Sequence, residues 1–325
     1  MENKVKWGIL GTANIARWGM IPGMKNAGNT DLVAIAGRNP EKTESYARNF
    51  GIRKTYLSYD ELLSDSEITA VYVPLPNDLH FPWVIKALKA GKHVLCEKPL
   101  ALNSDEVKEM FKTAEECGVY LMEAYAYLHS PYVESLKNDI KSGIIGDIDY
   151  IDTAFVTQGY KNDFRLRKEP GGGAMYDLGC YCTTMILSLI DSKVSSSGAV
   201  SEFSDQGVDL LTSGIIGFEN GARASFNVGM ILGEDTNSRY DRLFIHGTKG
   251  SIRSDVEYNM EGPVSYKIYT DAGVTERVIE VPNNYSLEIE QFNRCILGNE
   301  TPHITSAFSI KNAELIDTLL KKAGY

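Results

Sequence analysis

Two stretches of this sequence carry side chains whose types and spacing suit chemistry. The first is Glu97-Lys98-Pro99, at the end of the apolar run His93–Cys96. An ammonium held there by a following proline stands at the carboxyl edge of a strand, where open α/β sheets bind their ligands. The plainer reading is a Lys–Glu pair that closes a strand end. The second stretch begins at Arg165 and runs through Gly171-Gly172-Gly173 to Asp177 and Tyr181. Its glycines let a backbone approach something closely before a helix starts. Asp177 and Tyr181 are four residues apart, so they share one helix face a single turn from each other. The plainer reading makes Asp177 a first-turn carboxylate and Tyr181 a core aromatic. An ammonium, a carboxylate and a phenol can together orient a hydroxyl or carbonyl and exchange its proton.

The elements that must position the first stretch alternate strand and helix. Strands are expected at Lys4–Leu10, Asp31–Ala36, Lys54–Leu57, Ala70–Val73, His93–Cys96 and Tyr120–Glu123, with helices between them. That alternation predicts a doubly wound parallel sheet. Gly11-Thr12-Ala13-Asn14-Ile15-Ala16 follows the first strand in the G-x-G-x-x-G/A layout, with Ala13 at the second glycine position. Such a turn admits a pyrophosphate to the start of the next helix. The second strand ends in Gly37-Arg38, where an NAD enzyme would place Asp or Glu for the ribose 2′-hydroxyl. Arg38 is either a reader of a 2′-phosphate or a solvated loop residue. The fourth strand ends at Pro74-Leu75-Pro76-Asn77, which cannot continue a ladder and brings Asn77 and His80 beside the Glu97-Lys98 edge. His80 reads first as a helix-start histidine with a local partner and second as a base. Ser104 is expected to cap a helix over Asp105–Cys117.

From Glu123 onward strand-like runs dominate, from Ile148–Thr157 to Glu276–Val281, with Asn220-Gly221 as a hairpin turn. Alternation of period two predicts an open antiparallel sheet with one packed and one free face. A free apolar face is rare in monomers, so the expected assembly is a homodimer built sheet to sheet, or a tetramer of such pairs. Helices at Pro131–Ser142, Ser286–Leu297 and Ala307–Lys322 complete this half.

Composition narrows the function classes. The 325 residues imply two domains. A net charge of −10 without a basic run argues against a nucleic-acid or anionic-membrane partner. No signal-peptide pattern or transmembrane-length apolar run is visible, and the expected location is cytoplasmic. The five cysteines have neither disulfide nor zinc spacing, and no metal is expected.

Three motifs occur in a telling order: GILGTANIA from Gly8, the PLPNDLH loop from Pro74 with ALKAGKHVLCEKPLAL after it, and GGGAMYDLGCY from Gly171. They resemble the Gfo/Idh/MocA oxidoreductases, nearest the branch of dimeric dihydrodiol dehydrogenase, NADP-linked aldose 1-dehydrogenases and sugar ketoreductases. The resemblance implies a Rossmann dinucleotide-binding domain over 1–123 and a substrate-binding and oligomerisation α+β domain over 124–325, the latter with a large open, mainly antiparallel sheet. It implies hydride transfer to or from a carbinol or carbonyl carbon of a sugar, polyol or related diol. Tyr181 would be the proton donor or acceptor, where many members have histidine. Lys98 would polarise the oxygen and favour the phenolate, and Asp177 would orient the substrate. Cofactor contacts are expected from Gly11, Thr12, Ala13, Asn14, Ile15, Gly37, Arg38, Pro74, Leu75, Asn77, His80, Glu97 and Lys98, with NADP(H) preferred and NAD(H) second. Substrate contacts are expected from Tyr125, Tyr160 and Arg165, with Tyr127 nearby. Leu128 stands where the family often shows arginine. The resemblance also points to a cis Lys98–Pro99 bond. The rival readings are an NAD-linked dehydrogenase of a cyclic polyol or amino sugar, and a non-catalytic dinucleotide sensor of the same fold.

Overall fold

The structure, a computed structural model, describes residues 4–234, 236–255, 258–298 and 300–325. The chain begins with β1 (Val5–Leu10), a wide π-type helical turn over Ala16–Met20, α1 (Ile21–Asn26), β2 (Thr30–Ala36) and α2 (Pro40–Phe50). It continues through β3 (Lys54–Tyr56), α3 (Tyr59–Ser64), β4 (Ala70–Val73), α4 (Asn77–Lys89), β5 (His93–Glu97), α5 (Ser104–Cys117) and β6 (Leu121–Ala124). Then come α6 (Pro131–Lys141), β7 (Ile148–Gln158), a second π-type turn over Met175–Gly179 and α7 (Cys180–Leu189). Seven strands follow: β8 (Val194–Phe203), β9 (Asp209–Phe218), β10 (Arg223–Leu232), β11 (Arg239–Gly247), β12 (Gly250–Ser254), β13 (Gly262–Thr270) and β14 (Gly273–Val281). The last helices are α8 (Asn284–Ile296) and α9 (Ser306–Ala323).

Two compact units result, Met1–His129 with Asn283–Ile310, and Ser130–Pro282 with Lys311–Tyr325. The first unit thus runs to His129 and takes back the segment that holds α8. The reason lies in two glycines. A Cβ on Gly19 would meet the Tyr285 ring at 2.6 Å, and one on Gly23 would meet Tyr285 Cβ at 2.6 Å. Spaced four apart, they open one face of the first helical segment to α8.

In the first unit six strands run parallel in the order β3-β2-β1-β4-β5-β6. Covered on both faces, β1, β2, β4 and β5 read as near-continuous apolar runs, and β4 is buried throughout. The first helix is broken where the sequence predicts continuity to Ala27. Pro22 has no N–H to give Trp18, while the Ile21 N–H reaches back five residues to Ala16. Asn103, not Ser104, caps α5, its side chain accepting from the Glu106 N–H at 2.9 Å. The Lys98–Pro99 bond is cis, as expected.

In the second unit eight strands form one sheet in the order β14-β13-β12-β11-β7-β10-β9-β8. The β7–β10 pairing is parallel and the others are antiparallel. One face is packed, with Phe226, Ile245, Ile252 and Tyr266 buried. Along the other face the alternation leaves Val200, Ile215, Tyr240, Val274 and Val278 exposed. Its middle is more polar than the sequence suggests: the Ser225 hydroxyl donates to Asp152 at 2.9 Å, and Arg242 pairs with the same carboxylate at 2.6 Å. Among the described residues no helix is long and apolar enough to cross a membrane.

Candidate active site

The carboxyl edge of the parallel sheet gathers the loops that follow β1, β4 and β5. The order reverses between β1 and β4, where such sheets bind dinucleotides. Gly11 opens the β1 turn with φ +114°, a conformation that strains any side chain. A Cβ there would also stand 3.0 Å from Leu75 Cδ2. Its N–H donates to Ala36 O at 2.8 Å, and the Tyr46 hydroxyl donates to Ala13 O at 3.3 Å, which fixes the turn. Thr12, Ala13 and Ile15 are half-buried and Asn14 is exposed. Arg38 is exposed and lies against the Tyr59 hydroxyl. Burial raises the Tyr59 pKa, and the Arg38 guanidinium pulls it back. Glycine at 37 makes room for the protein itself: a Cβ would sit 2.3 Å from Thr43 Oγ1 and 3.1 Å from the Thr12 methyl.

Beneath Lys98 the edge rests on buried polar groups. Glu97 accepts from the Tyr72 hydroxyl at 2.5 Å. Glu123 accepts from the Leu100 N–H at 3.0 Å, and burial pushes its carboxyl up to about 7. Glu288 on α8 is fully buried; burial, and next the Glu97 charge, push its carboxyl well above the usual range. These acids come from three separate elements, and the sequence gives them no common signal.

In the second unit the glycine run approaches its own chain. A Cβ on Gly172 would meet the Arg165 and Arg167 carbonyl oxygens at 2.4 Å, and the Gly173 N–H donates to Arg165 O at 2.9 Å. This folds the Arg165 segment onto the helical turn that follows. Arg165 Nε donates to Asp177 Oδ2 at 2.7 Å, and its Nη1 to Asp163 Oδ1 at 3.2 Å. The Asp177 charge holds the guanidinium pKa above its ordinary value, against burial. The same guanidinium lies over the Tyr160 and Phe164 rings, 5.2 and 4.8 Å from their centroids. Tyr160, Arg165 and Asp177 are thus brought together, with Tyr181 one helical turn beyond Asp177. The Tyr181 ring stands 5.5 Å from Phe155 and 5.0 Å from Tyr258. Arg239 lies over the other partner, 4.3 Å from the Phe155 centroid. Cys182 is buried beside Tyr258, and burial pushes its thiol up to about 12, so it is no nucleophile.

Residues 5–125 match an oxidoreductase family with an NAD-binding Rossmann fold, GFO_IDH_MocA, and residues 133–253 match the GFO/IDH/MocA C-terminal domain. The chain belongs to the GFO/IDH/MocA oxidoreductases. It is similar to a D-xylose 1-dehydrogenase (NADP(+)) of Haloferax volcanii, 30% identical over 98% of this chain and 97% of that one. It is 31% identical to a trans-1,2-dihydrobenzene-1,2-diol dehydrogenase of Xenopus tropicalis, over 98% of both chains. Among solved structures, a 3-ketoreductase of Actinomadura kijaniata in complex with NADP and TDP-benzene superposes with a TM-score of 0.91 at 27% identity, covering 98% of each chain.

Two of the expected site residues lie deep in the first unit. His80 is fully buried, its Nδ1 2.8 Å from Pro99 O and its Nε2 2.8 Å from Leu75 O. Burial lowers its pKa against the pull of those carbonyls. A neutral ring donates from one nitrogen only, so His80 hydrogen-bonds one of these carbonyls and lies against the other, between the β4 and β5 loops. Tyr125 is also fully buried, and its hydroxyl meets the Glu123 carboxylate. Pro74, Leu75 and Asn77 are buried in the loop that faces Gly11. Sequence reasoning missed Tyr59, Phe155, Tyr258 and Arg239. Phe155 lies in a recognised strand, but nothing local distinguishes it from the other core aromatics.

Proposed function

We propose that this chain is an NADP(H)-dependent oxidoreductase that moves a hydride to or from a carbinol or carbonyl carbon of a sugar, polyol or related diol. The observation that carries this reading is the Arg165–Asp177 ion pair one turn before Tyr181. It offers a fixed carboxylate and a phenol on a single helix, walled by Phe155 and Tyr258. The Gly11 turn and Arg38 fit a dinucleotide with an added 2′-phosphate: the glycine keeps the turn open, and no carboxylate follows β2 before Glu41. When bound, NADP(H) supplies or accepts the hydride. Arg38 meets the phosphate with charge-assisted hydrogen bonds. Lys98 polarises the substrate oxygen, Asp177 orients the hydroxyls, and Tyr181 gives or takes the hydroxyl proton. Arg165 is neutralised by two carboxylates, which supports an uncharged polyhydroxylated substrate over an anionic one. The protein works in the cytoplasm in this reading. Relatives named for xylose, dihydrodiol and keto-sugar chemistry support the substrate class. Following reduced nicotinamide absorbance with NADPH or NADH against aldoses, dicarbonyls and 3-keto sugars tests it. Turnover with none of them, in either direction, would favour a dinucleotide sensor.

A second copy of the chain covers the outer sheet face. Val200, Ile215 and Val278 are 77%, 65% and 67% exposed there. Eight strands about 4.8 Å apart span roughly 40 Å, enough for the roughly 800 Å² per partner of a stable interface. Light scattering at micromolar concentration should give twice the chain mass, and Ile215→Glu should halve it. A monomeric wild type would end this assembly.

A further inference from the structure

Asp209, the first residue of β9, is fully buried with three donors on its carboxylate. Oδ2 accepts from the Met175 N–H at 2.9 Å and from the Thr212 hydroxyl at 2.7 Å. Oδ1 accepts from the Tyr325 hydroxyl at 2.6 Å. The Asp209 N–H donates in turn to Tyr325 Oη at 2.9 Å. The phenol therefore both gives to and takes from one residue, which fixes it in two directions. Glycine at 173 creates the space for this clasp. A Cβ there would stand 2.1 Å from Asp209 Oδ1 and 2.6 Å from Tyr325 Oη, at a φ of +115°. The Gly173 carbonyl accepts the Asp177 N–H at 3.1 Å, so the clasped backbone starts the turn that presents Asp177. Tyr325 is itself anchored. Its N–H donates to Leu320 O at 3.1 Å, its ring lies 5.3 Å from Phe203, and the Lys168 ammonium sits 5.1 Å from its centroid.

We propose that Tyr325 is a positioning residue: through Asp209 it holds the Gly173–Met175 backbone, and with it Asp177 and Tyr181, in the reacting geometry. The proposal rests on the roles given to Asp177 and Tyr181 above. Burial and the Asp209 charge raise the Tyr325 pKa, so the phenol stays protonated and remains a donor. A backbone shift of about 1 Å at a reacting group costs on the order of 10²-fold in rate, so a loosened clasp affects turnover before it affects folding.

The test is Tyr325→Phe, which keeps the ring on Phe203 and Lys168 and removes only the hydroxyl. Turnover should fall about tenfold or more, with NADPH affinity unchanged. Deuterium uptake at residues 173–181 should rise about tenfold, with little change elsewhere. Asp209→Asn still offers an acceptor to Met175 and should restore a large part of both readouts relative to Asp209→Ala. A lower melting temperature with unchanged turnover per folded molecule would make Tyr325 merely structural and overturn the proposal. Unchanged exchange at 173–181 would overturn it too. If the wild type turns over no carbonyl substrate, the exchange measurement still judges the clasp while the hydride-transfer reading fails separately.

Discussion

The edge around Lys98 and the helix around Tyr181 are held by different means. At the first, the partners of the holding groups are mostly backbone: the His80 ring lies between two carbonyls and donates to one, and Leu100 gives its N–H to Glu123. The chain separations are short, 19 residues from His80 to Pro99 and 5 to Leu75. Around Tyr181 the holding groups are mostly side chains, one of them 12 residues away and others far more remote. Arg165 reaches Asp177, Tyr258 packs on Tyr181, and Tyr325 joins Asp209 across 116 residues. A backbone-braced edge keeps its shape when one side chain changes, because strand pairing still fixes the carbonyls. A side-chain network fails locally when any member is removed. Substitutions near Tyr181 should therefore act on turnover, and substitutions near Lys98 chiefly on stability and cofactor affinity.

The sharpest break of that contrast is Tyr181→Phe. Removing the hydroxyl should cost about 10²–10⁴-fold in turnover, while NADPH affinity and the unfolding midpoint stay near native. Steady-state kinetics with fluorescence titration checks it; a variant keeping half its activity would move the proton to a bound water. On the other side of the contrast, His80→Leu leaves one buried carbonyl without its donor. At roughly 1–3 kcal/mol for such a group, the first unit should lose about that much in urea unfolding, with Tyr181 chemistry preserved in whatever remains folded.

Cofactor choice sharpens the comparison further. Arg38→Ala should weaken NADPH binding about 10–100-fold, the worth of one good bond to a charged group, and leave NADH binding as it was. Titration of both reduced cofactors reads it directly, and equal wild-type affinities would remove Arg38 from this role. The smallest effect belongs to Glu123. Its folded pKa of about 7 lies above the ordinary 4.5, so its contribution to stability is complete below about pH 4.5 and is lost as pH rises to 7. Glu123→Gln should flatten the dependence of stability on pH across that window, as read in urea unfolding at a series of pH values. A variant with the wild-type slope would mean that other groups set it.

Much of this molecule is legible from neighbours in the chain. The strands β1, β2, β4 and β5 emerge because their buried runs are apolar and their ends are marked by Gly11, Gly37, Pro74 and Pro99. The i,i+4 placement of Asp177 and Tyr181 is equally local, since a helix dictates it. What lies beyond the local sequence is distant or cryptic. His80 reads first as a helix-start histidine with a local partner, and only folding brings the Pro99 carbonyl to its ring. Tyr125 follows β6, and its burial with the hydroxyl on Glu123 is a tertiary fact.

Sequence alone therefore determined the order of elements, the sheet edge that carries Gly11, Arg38 and Lys98, and the helix that pairs Asp177 with Tyr181. Each depends on φ/ψ preferences, apolar periodicity and turn residues, which act over a few positions. Tertiary structure decided which side chains surround that pair. Arg165 meets Asp177 because Gly172 and Gly173 bring two backbones together, and Tyr258 meets Tyr181 because a large sheet closes in one register. Register is set by the summed packing of whole strands, and no short stretch of sequence contains that sum.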